Sequence, residues 1–389
     1  MNGLPDTTDV VIVGAGPTGL ALACTLASEQ IPFVLVDRLA EGANTSRAAV
    51  MHARTLEVLE DLGVADRLRA EGHIVPKFTI RDHDQVLAAI PFDRLRTRYP
   101  YTLMIPQNVT EAILLRRLRE LGGDVLRPYT VEDLRQDSGA VFVTLASDDE
   151  PAQTIRARYL VGADGMHSTV RERARIGFRG DAYEESFVLA DVRMDWPLSR
   201  DEVMLFLSPE GLVVVAPLPD GRHRIVATVD EAPEHPSIAD VQHLLDTRGP
   251  SGGVARIREV VWGSRFRVHH RLADRYRAGR ILLAGAAHVH SPAGGQGMNT
   301  GMQDAIALGR ALAEALRGGS DEHALDEYER VRRPIANRVV AFTDRMTRMA
   351  TLRTRRSRAV RNALVRNLVG RIPASGRWLA TELSGLRNR

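Results

Sequence analysis

Asp9 to Val13 is a short apolar run ahead of a glycine cluster, which predicts a buried strand. Pro17 to Ala27 has helical character, with proline in the first turn, where its missing N–H costs nothing. Phe33 to Val36 is a second β-rich run and ends at Asp37. Together these predict a βαβ unit, the opening of a doubly wound parallel sheet. Helical patterns follow at Arg54 to Leu62 and Thr110 to Leu121. Val125 to Ala146 reads as strands around a turn at Asp137-Ser138-Gly139, and Arg158 to Val161 as a strand closing on Ala163-Asp164-Gly165. From Phe187 to Val229 the pattern becomes strand-rich. MLFL, LVVVAPL and HRIVATV are separated by turn signals at Pro209-Glu210-Gly211 and Pro219-Asp220-Gly221, which predicts an antiparallel sheet forming its own layer. Ile281 to Ala284 returns to a buried strand, and Asn299 to Leu316 is an amphipathic helix. The fold class is therefore α/β, with a βαβ fold interrupted by a β-rich insert and then resumed.

Composition narrows the class without changing it. The chain has 389 residues, 44% hydrophobic and 26% charged, which suits a folded globular protein. Net charge is +3, and Lys77 is the only lysine; arginine dominance reads as codon usage, and nothing points to nucleic acid. Cys24 is the only cysteine, so no internal disulfide forms, no zinc spacing is present, and a reducing cytoplasm is expected. The start MNGLPDTTDV lacks the basic region of a signal peptide. Val10 to Leu26 approaches membrane-span length, but its three glycines and a proline suit a strand–turn–helix. Near the C-terminus Arg353, Arg355, Arg356, Arg358, Arg361 and Arg366 interleave with Val360, Leu364 and Leu368. Such a basic amphipathic helix either packs its apolar side on the parent domain, which is the expectation, or contacts a membrane peripherally. No pattern fixes an oligomeric state.

Gly14-Ala15-Gly16-Pro17-Thr18-Gly19 follows the first strand directly and opens the helix, and Asp37 ends the next strand about 20 residues on. Gly14 allows a tight turn, Gly16 lets the backbone approach a pyrophosphate, and Gly19 permits close helix–strand packing. The helix N-terminus then offers free N–H groups and a positive dipole end to a diphosphate, while Asp37 accepts from ribose hydroxyls. This fingerprint does not separate NAD from FAD.

Two further motifs carry a resemblance. Tyr159-Leu160-Val161-Gly162-Ala163-Asp164-Gly165, followed by Ser168, Val170 and Arg171, resembles the DG motif of the flavoprotein aromatic hydroxylases, the family of para-hydroxybenzoate hydroxylase and the polyketide hydroxylases. Gly285-Ala286-Ala287-His288-Val289-His290-Ser291-Pro292-Ala293-Gly294-Gly295-Gln296-Gly297-Met298-Asn299 looks like that family's GD-box. Ser46-Arg47-Ala48, Arg54-Thr55-Leu56-Glu57, Asp37-Arg38 and Gln107 with Glu111 extend the likeness, which spans roughly residues 8 to 345. One departure stands out: the family has an aspartate between the glycine and Ala-Ala-His, and here, aligned from the strand, it is deleted, or, aligned from His288, Gly285 occupies its place. The carboxylate that would hold the ribityl chain is missing, a loss of roughly 1.5–3 kcal/mol for one charge-assisted hydrogen bond.

The resemblance implies FAD as cofactor, NADPH or NADH as electron donor, and O2 activated as a flavin C4a-hydroperoxide that hydroxylates an aromatic or polycyclic, polyketide-like small molecule. It implies cofactor contacts at Gly14 to Gly19, Asp37, Arg38, Arg47, Gln107, Val131, Asp164, Gly285, Pro292, Gly295, Gly297, Met298 and Asn299. Pro292 is the residue expected beside the reacting centre, and Phe206, Val214, Pro217 and His290 are the expected substrate-lining positions; no metal site is implied. The implied layout is a Rossmann-like FAD-binding domain from 1–74, 102–180 and 272–345, a substrate domain from 75–101 and 181–271, and a C-terminal helical segment, 346–389. The thioredoxin-like domain of larger polyketide hydroxylases is not expected in a chain of this length. Baeyer–Villiger oxygenation on the same fold, and an accessory protein that binds flavin weakly, are the alternatives.

Overall fold

A computed structural model describes residues 4–42, 48–148, 150–208, 210–318, 322–352 and 354–388; the expected contact Arg47, its neighbour Ser46 and the basic residue Arg353 lie outside the described residues. The first strand, Thr7–Val13, is the hub of the main sheet. It pairs in parallel with Phe33–Val36 on one side and with the long strand Glu150–Gly162 on the other, which pairs in parallel with Ile281–Leu283. The residues Val10 to Ile12 are fully buried, as a strand covered on both faces must be. The hairpin Thr130–Gln136 and Val141–Ser147 extends this sheet through antiparallel pairing. Helices Pro17–Ser28 and Gln296–Arg317 pack against each other, and Gly309 sets how closely: a β-carbon there would stand 2.6 Å from Thr25 Cγ2.

The β-rich insert forms an eight-stranded sheet. Its order is His288–Val289, Arg256–Ala273, Phe178–Asp195, His223–Val229, Gly211–Pro217, Glu202–Ser208, Lys77–Asp82 and Gln85–Pro91. The three strands anticipated between 202 and 229 form consecutive antiparallel neighbours. Strand alternation splits them into two faces. Met204, Phe206, Val213, Val215, Ile225 and Ala227 turn towards the helix Ile238–Arg248 and build one core. Leu205, Leu212 and Val214 turn the other way. A small three-stranded sheet of Val50–Met51, Thr102–Met104 and His73–Val75 joins the two large ones, through contacts of Ala49, Val75 and Met104 with Val203, Ala216 and Leu218.

The C-terminal segment corrects one expectation. Ala350, Val365, Ala380 and Leu383 pack on Ile80, Leu87, Ile90 and Phe92, whereas Val360, Leu364 and Leu368 face solvent. The reason is Arg361. Its guanidinium is buried and donates to the carbonyls of Met349, Ala350 and Leu207, at 3.1–3.2 Å. Those bonds turn the Arg361 and Val365 side of the helix Arg355–Leu364 inward and the expected apolar stripe outward.

Candidate cofactor and substrate site

The carboxyl ends of the parallel strands converge where the glycine fingerprint begins. Gly14 has φ +104°, and a β-carbon there would lie 2.6 Å from Ala163 O, so only glycine lets the Asp164 segment pass. The helix Pro17–Ser28 starts at Gly16 with no side-chain cap, and the space where a Gly16 side chain would project is open. A helix N-terminus with uncapped donors and open space in front is an anion site. Asp37 is braced at its edge: Oδ2 accepts from Ala15 N at 2.6 Å and Oδ1 from Leu39 N at 2.9 Å. Arg38 is exposed beside it. Gln107 opens a helix, donates from Nε2 to Glu111 at 2.8 Å, and accepts from Ala48 N at 3.3 Å. Burial raises the Glu111 carboxyl above its ordinary range. Val131 sits in the hairpin, two residues after Tyr129, whose N–H donates to Asp37 O at 2.9 Å.

Asp164 follows the strand Glu150–Gly162 and lies against Gly14. Its Oδ2 accepts from Val170 N at 3.3 Å, while Oδ1 is buried with no partner in the protein. Burial raises this carboxyl as well. A buried acceptor without a donor is costly, so the position suits a ligand hydroxyl. Arg171, on the helix that Ser168 caps, reaches across to Ala286 O and also holds Met166 O, both at 2.8 Å. It locks the Asp164 turn to the segment after Ile281–Leu283.

Gly285 stands where the family's carboxylate is absent. The turn is closed by Gly285 at φ +75°, and a β-carbon there would stand 2.8 Å from Thr18 Oγ1. Ala284 N to Gly162 O (2.9 Å) and Ala273 N to Ala287 O (2.7 Å) keep both flanks in register. Asp304 is fully buried, pairing with Arg332 Nε at 2.5 Å and His288 Nε2 at 2.9 Å. Burial opposes its ionisation, but Arg332 and His288 outweigh that and hold the carboxyl below its usual range.

The loop from Pro292 ends in a turn closed by Gly295 N to Pro292 O at 2.9 Å, and Gly295 starts the helix Gln296–Arg317 without a side-chain cap. Asn299, at the first turn, is fully buried. Its Nδ2 donates to Val50 O (2.8 Å) and Gly295 O (2.7 Å), and its Oδ1 accepts from His52 N at 2.8 Å. Gly295 is pressed against Val50, whose Cβ would lie 2.7 Å from a β-carbon at 295. Gly297 is exposed at the helix start and Met298 is half-buried. His52 completes the clamp: its Nε2–H donates to Gly294 O at 2.6 Å. Burial pushes the imidazole down to about 4, so it is neutral and its Nδ1 remains a buried acceptor without a protein partner.

This loop forms one wall of a cavity enclosing about 970 Å³ of non-atom space, including its open mouth. Pro292, Gly294 and Gly295 face Leu205, Leu212, Val214 and Val226 of the eight-stranded sheet, with Phe78, Phe92 and Phe187 around them and Met346, Ala350 and Leu383 closing from the C-terminal helices. His52, Thr102, Arg224 and Thr347 are the polar side chains in this wall. Arg224 is buried and held by Asp191 through two bonds of 2.7 and 2.8 Å.

Of the expected lining residues, Val214 borders the cavity. Phe206 does not: it points to the opposite face of the sheet and meets Trp196 edge-on at 6.3 Å, because even-numbered positions of its strand turn away. Pro217 is likewise on the far parity, its neighbour Ala216 being the wall residue. His290 lies behind the loop, stacked on His288 at 5.8 Å between centroids, with its ring beside Gly297 and not in the cavity wall. Burial, with His288 adding to it, lowers His290 to about 4. Sequence reasoning did not anticipate His52, Arg224 or the aromatic residues near 78 and 92. Glu202–Ser208 is buried at every position, so its sequence does not mark which parity faces the loop.

Residues 7–343 match the model of a family described as FAD binding domain. The 6-methylpretetramide 4-monooxygenase of Streptomyces rimosus is 40% identical over 355 residues, covering 90% of this chain; the chain spans only 63% of that relative's length. Among solved structures, p-nitrophenol 4-monooxygenase of Pseudomonas putida superposes with a TM-score of 0.87 at 26% identity, covering 99% of this chain and 100% of its own. The anhydrotetracycline hydroxylase of Streptomyces rimosus superposes with a TM-score of 0.82 at 34% identity, covering 98% of this chain and 76% of its own.

Proposed function

This chain belongs to the FAD-binding-domain family of flavin-dependent aromatic and polyketide hydroxylases, and from that premise we propose that it hydroxylates an aromatic or polyketide-like substrate at the expense of NAD(P)H and O2. The observation that carries the reading is the apolar cavity with the Pro292–Gly295 loop as one wall and the sheet around Val214 as the other. Its lining suits a flat, largely apolar ligand.

The residues present fit the cofactor. The uncapped helix start at Gly16 suits the diphosphate, Asp37 the ribose, and Asp164 Oδ1 a hydroxyl donor. The uncapped start at Gly295 suits the electron-rich edge of the ring. When bound, FAD supplies the redox chemistry: it takes hydride from NAD(P)H and activates O2 for transfer of one oxygen atom.

The chain's own part is to position and to exclude water. Asn299 and His52 hold the loop against Val50, so the ring-facing backbone is fixed before substrate arrives. The apolar walls strip water from the ligand. Arg224 puts a guanidinium in that dry wall, where it favours phenolate character in a bound phenol and so raises electron density on its ring. Thr347 bonds Ser291 Oγ at 2.6 Å and ties the loop to the long helix His323–Ala350. In this division of labour 1–74, 102–180 and 272–345 hold FAD, 75–101 and 181–271 hold substrate, and 346–389 closes the cavity from one side.

The test is to reconstitute the protein with FAD and screen phenolic and polycyclic compounds for stimulated NAD(P)H oxidation, then analyse the product made under isotopically labelled O2. A ring hydroxyl carrying the label is expected. A labelled ester or lactone would overturn hydroxylation, and FAD-loaded protein that no aromatic compound stimulates would overturn the whole reading.

A further inference from the structure

The last 39 residues, from Thr351, hold ten arginines and one glutamate. Their net charge is +9 in a chain whose total is +3, so the preceding residues sum to −6. Charge is therefore segregated to one end, a pattern associated with an anionic partner. Arg361 spends its charge inside the fold, but Arg355, Arg356, Arg371 and Arg377 are exposed.

The same segment carries an exposed apolar row. Val360, Leu364, Leu368 and Ile372 recur every fourth residue, and each is 42–58% exposed. A π-helical turn at Val365–Val369 lies within the row. Trp378, 52% exposed, stands on the next helix, Pro373–Leu383, supported edge-on by Phe342 at 6.4 Å. Beside it, Arg377 with Arg94 and Arg96 borders a shallow surface cleft.

We infer that this face docks on an anionic phospholipid membrane. Aliphatic side chains in a row, a half-exposed tryptophan and flanking arginines match the three layers of a bilayer surface. Apolar groups enter the acyl boundary, indole sits at headgroup depth, and guanidinium groups reach the phosphates. A nucleic acid would leave the aliphatic row in water. The row and the basic flank supply the two weak signals that reversible attachment needs. Among the described residues no helix is long and apolar enough to cross a membrane, so the contact is peripheral. Ala350 and Leu383, buried on the helices that bear or adjoin this face, also line the cavity, so the docked face lies on the side of the fold that closes the site. The docking does not rest on the hydroxylase reading.

The test is co-sedimentation of the full chain with vesicles of phosphatidylcholine alone and of phosphatidylcholine mixed with phosphatidylglycerol, with tryptophan emission followed in parallel. Binding is expected only with phosphatidylglycerol, weakening as salt rises. Each exposed arginine replaced by glutamine is expected to weaken it roughly five-fold. The double variant Leu364→Gln/Leu368→Gln is expected to weaken it at least ten-fold, and both positions are exposed, so folding is undisturbed. A blue shift of emission should vanish in Trp378→Phe. Absence of binding to either vesicle, or binding untouched by these variants, would overturn the proposal. So would light scattering that shows a dimer dissociated by Leu364→Gln/Leu368→Gln, because the occupant would then be a second copy.

Discussion

Inserting an aspartate between Gly285 and Ala286 should tighten FAD binding. The flanks of the turn are pinned by Ala284 N to Gly162 O and Ala273 N to Ala287 O, so the extra residue has only the turn to enlarge. Gly285 is held at φ +75° in this turn, and an inserted residue would give the chain one more peptide over which to reverse. One charge-assisted hydrogen bond to a ligand hydroxyl contributes roughly 1.5–3 kcal/mol, or roughly 10- to 150-fold in Kd. The substitution Gly285→Asp should not reproduce this. It would place a side chain at positive φ, costing about 1–2 kcal/mol, with its β-carbon 2.8 Å from Thr18 Oγ1. The assay is titration of flavin-free protein with FAD, read by quenching of flavin fluorescence. Thermal unfolding at saturating FAD gives a second readout, since tighter binding raises stability by the same free energy. An insertion variant with native circular dichroism and a Kd within about three-fold of the parent would refute the reasoning. It would mean that the remaining contacts leave no room for a carboxylate beside the cofactor.

Burial raises the Asp164 carboxyl, so its pKa in the flavin-free fold lies above its unfolded value. Such a group favours folding while protonated and loses that contribution as pH rises through the folded pKa. Flavin-free protein should therefore lose stability on going from acid towards neutral pH at this site, and Asp164→Asn should flatten that slope in a series of thermal melts while weakening FAD binding. Arg224→Leu leaves Asp191 buried and unpaired and should cost about 3–5 kcal/mol in urea unfolding, with most of it recovered in Arg224→Leu/Asp191→Leu. Phe206→Ala should cost about 3–5 kcal/mol of stability and leave ligand affinity unchanged, because the ring faces Trp196. Val214→Trp should do the reverse, blocking aromatic ligands by equilibrium dialysis with FAD affinity intact.

The parts of this molecule that were legible in its sequence are those where the backbone itself makes the contact. Gly14 and Gly19 must be glycine because other backbone comes too close, and that demand is written into residue type. The βαβ order was legible for the same reason: strands buried on both faces must be apolar throughout. The substrate wall was not, because it depends on which parity of a strand faces the loop. Val213 and Val214 are chemically alike, and their strand shows no polar alternation since both of its faces are covered, one by Ile238–Arg248 and the other by the cavity. A one-residue change of register would exchange them. The C-terminal stripe failed for a different reason. Hydrophobic spacing pointed Val360 and Leu364 inward, but a single guanidinium meeting three carbonyls at Arg361 fixed the opposite face. A buried arginine that satisfies orphaned carbonyls can outweigh three exposed aliphatic side chains, since each unmade buried hydrogen bond costs about 1–3 kcal/mol. The exposed row is thus what the fold concedes for that anchor, and it lies in the same segment as the arginines that would meet an anionic membrane.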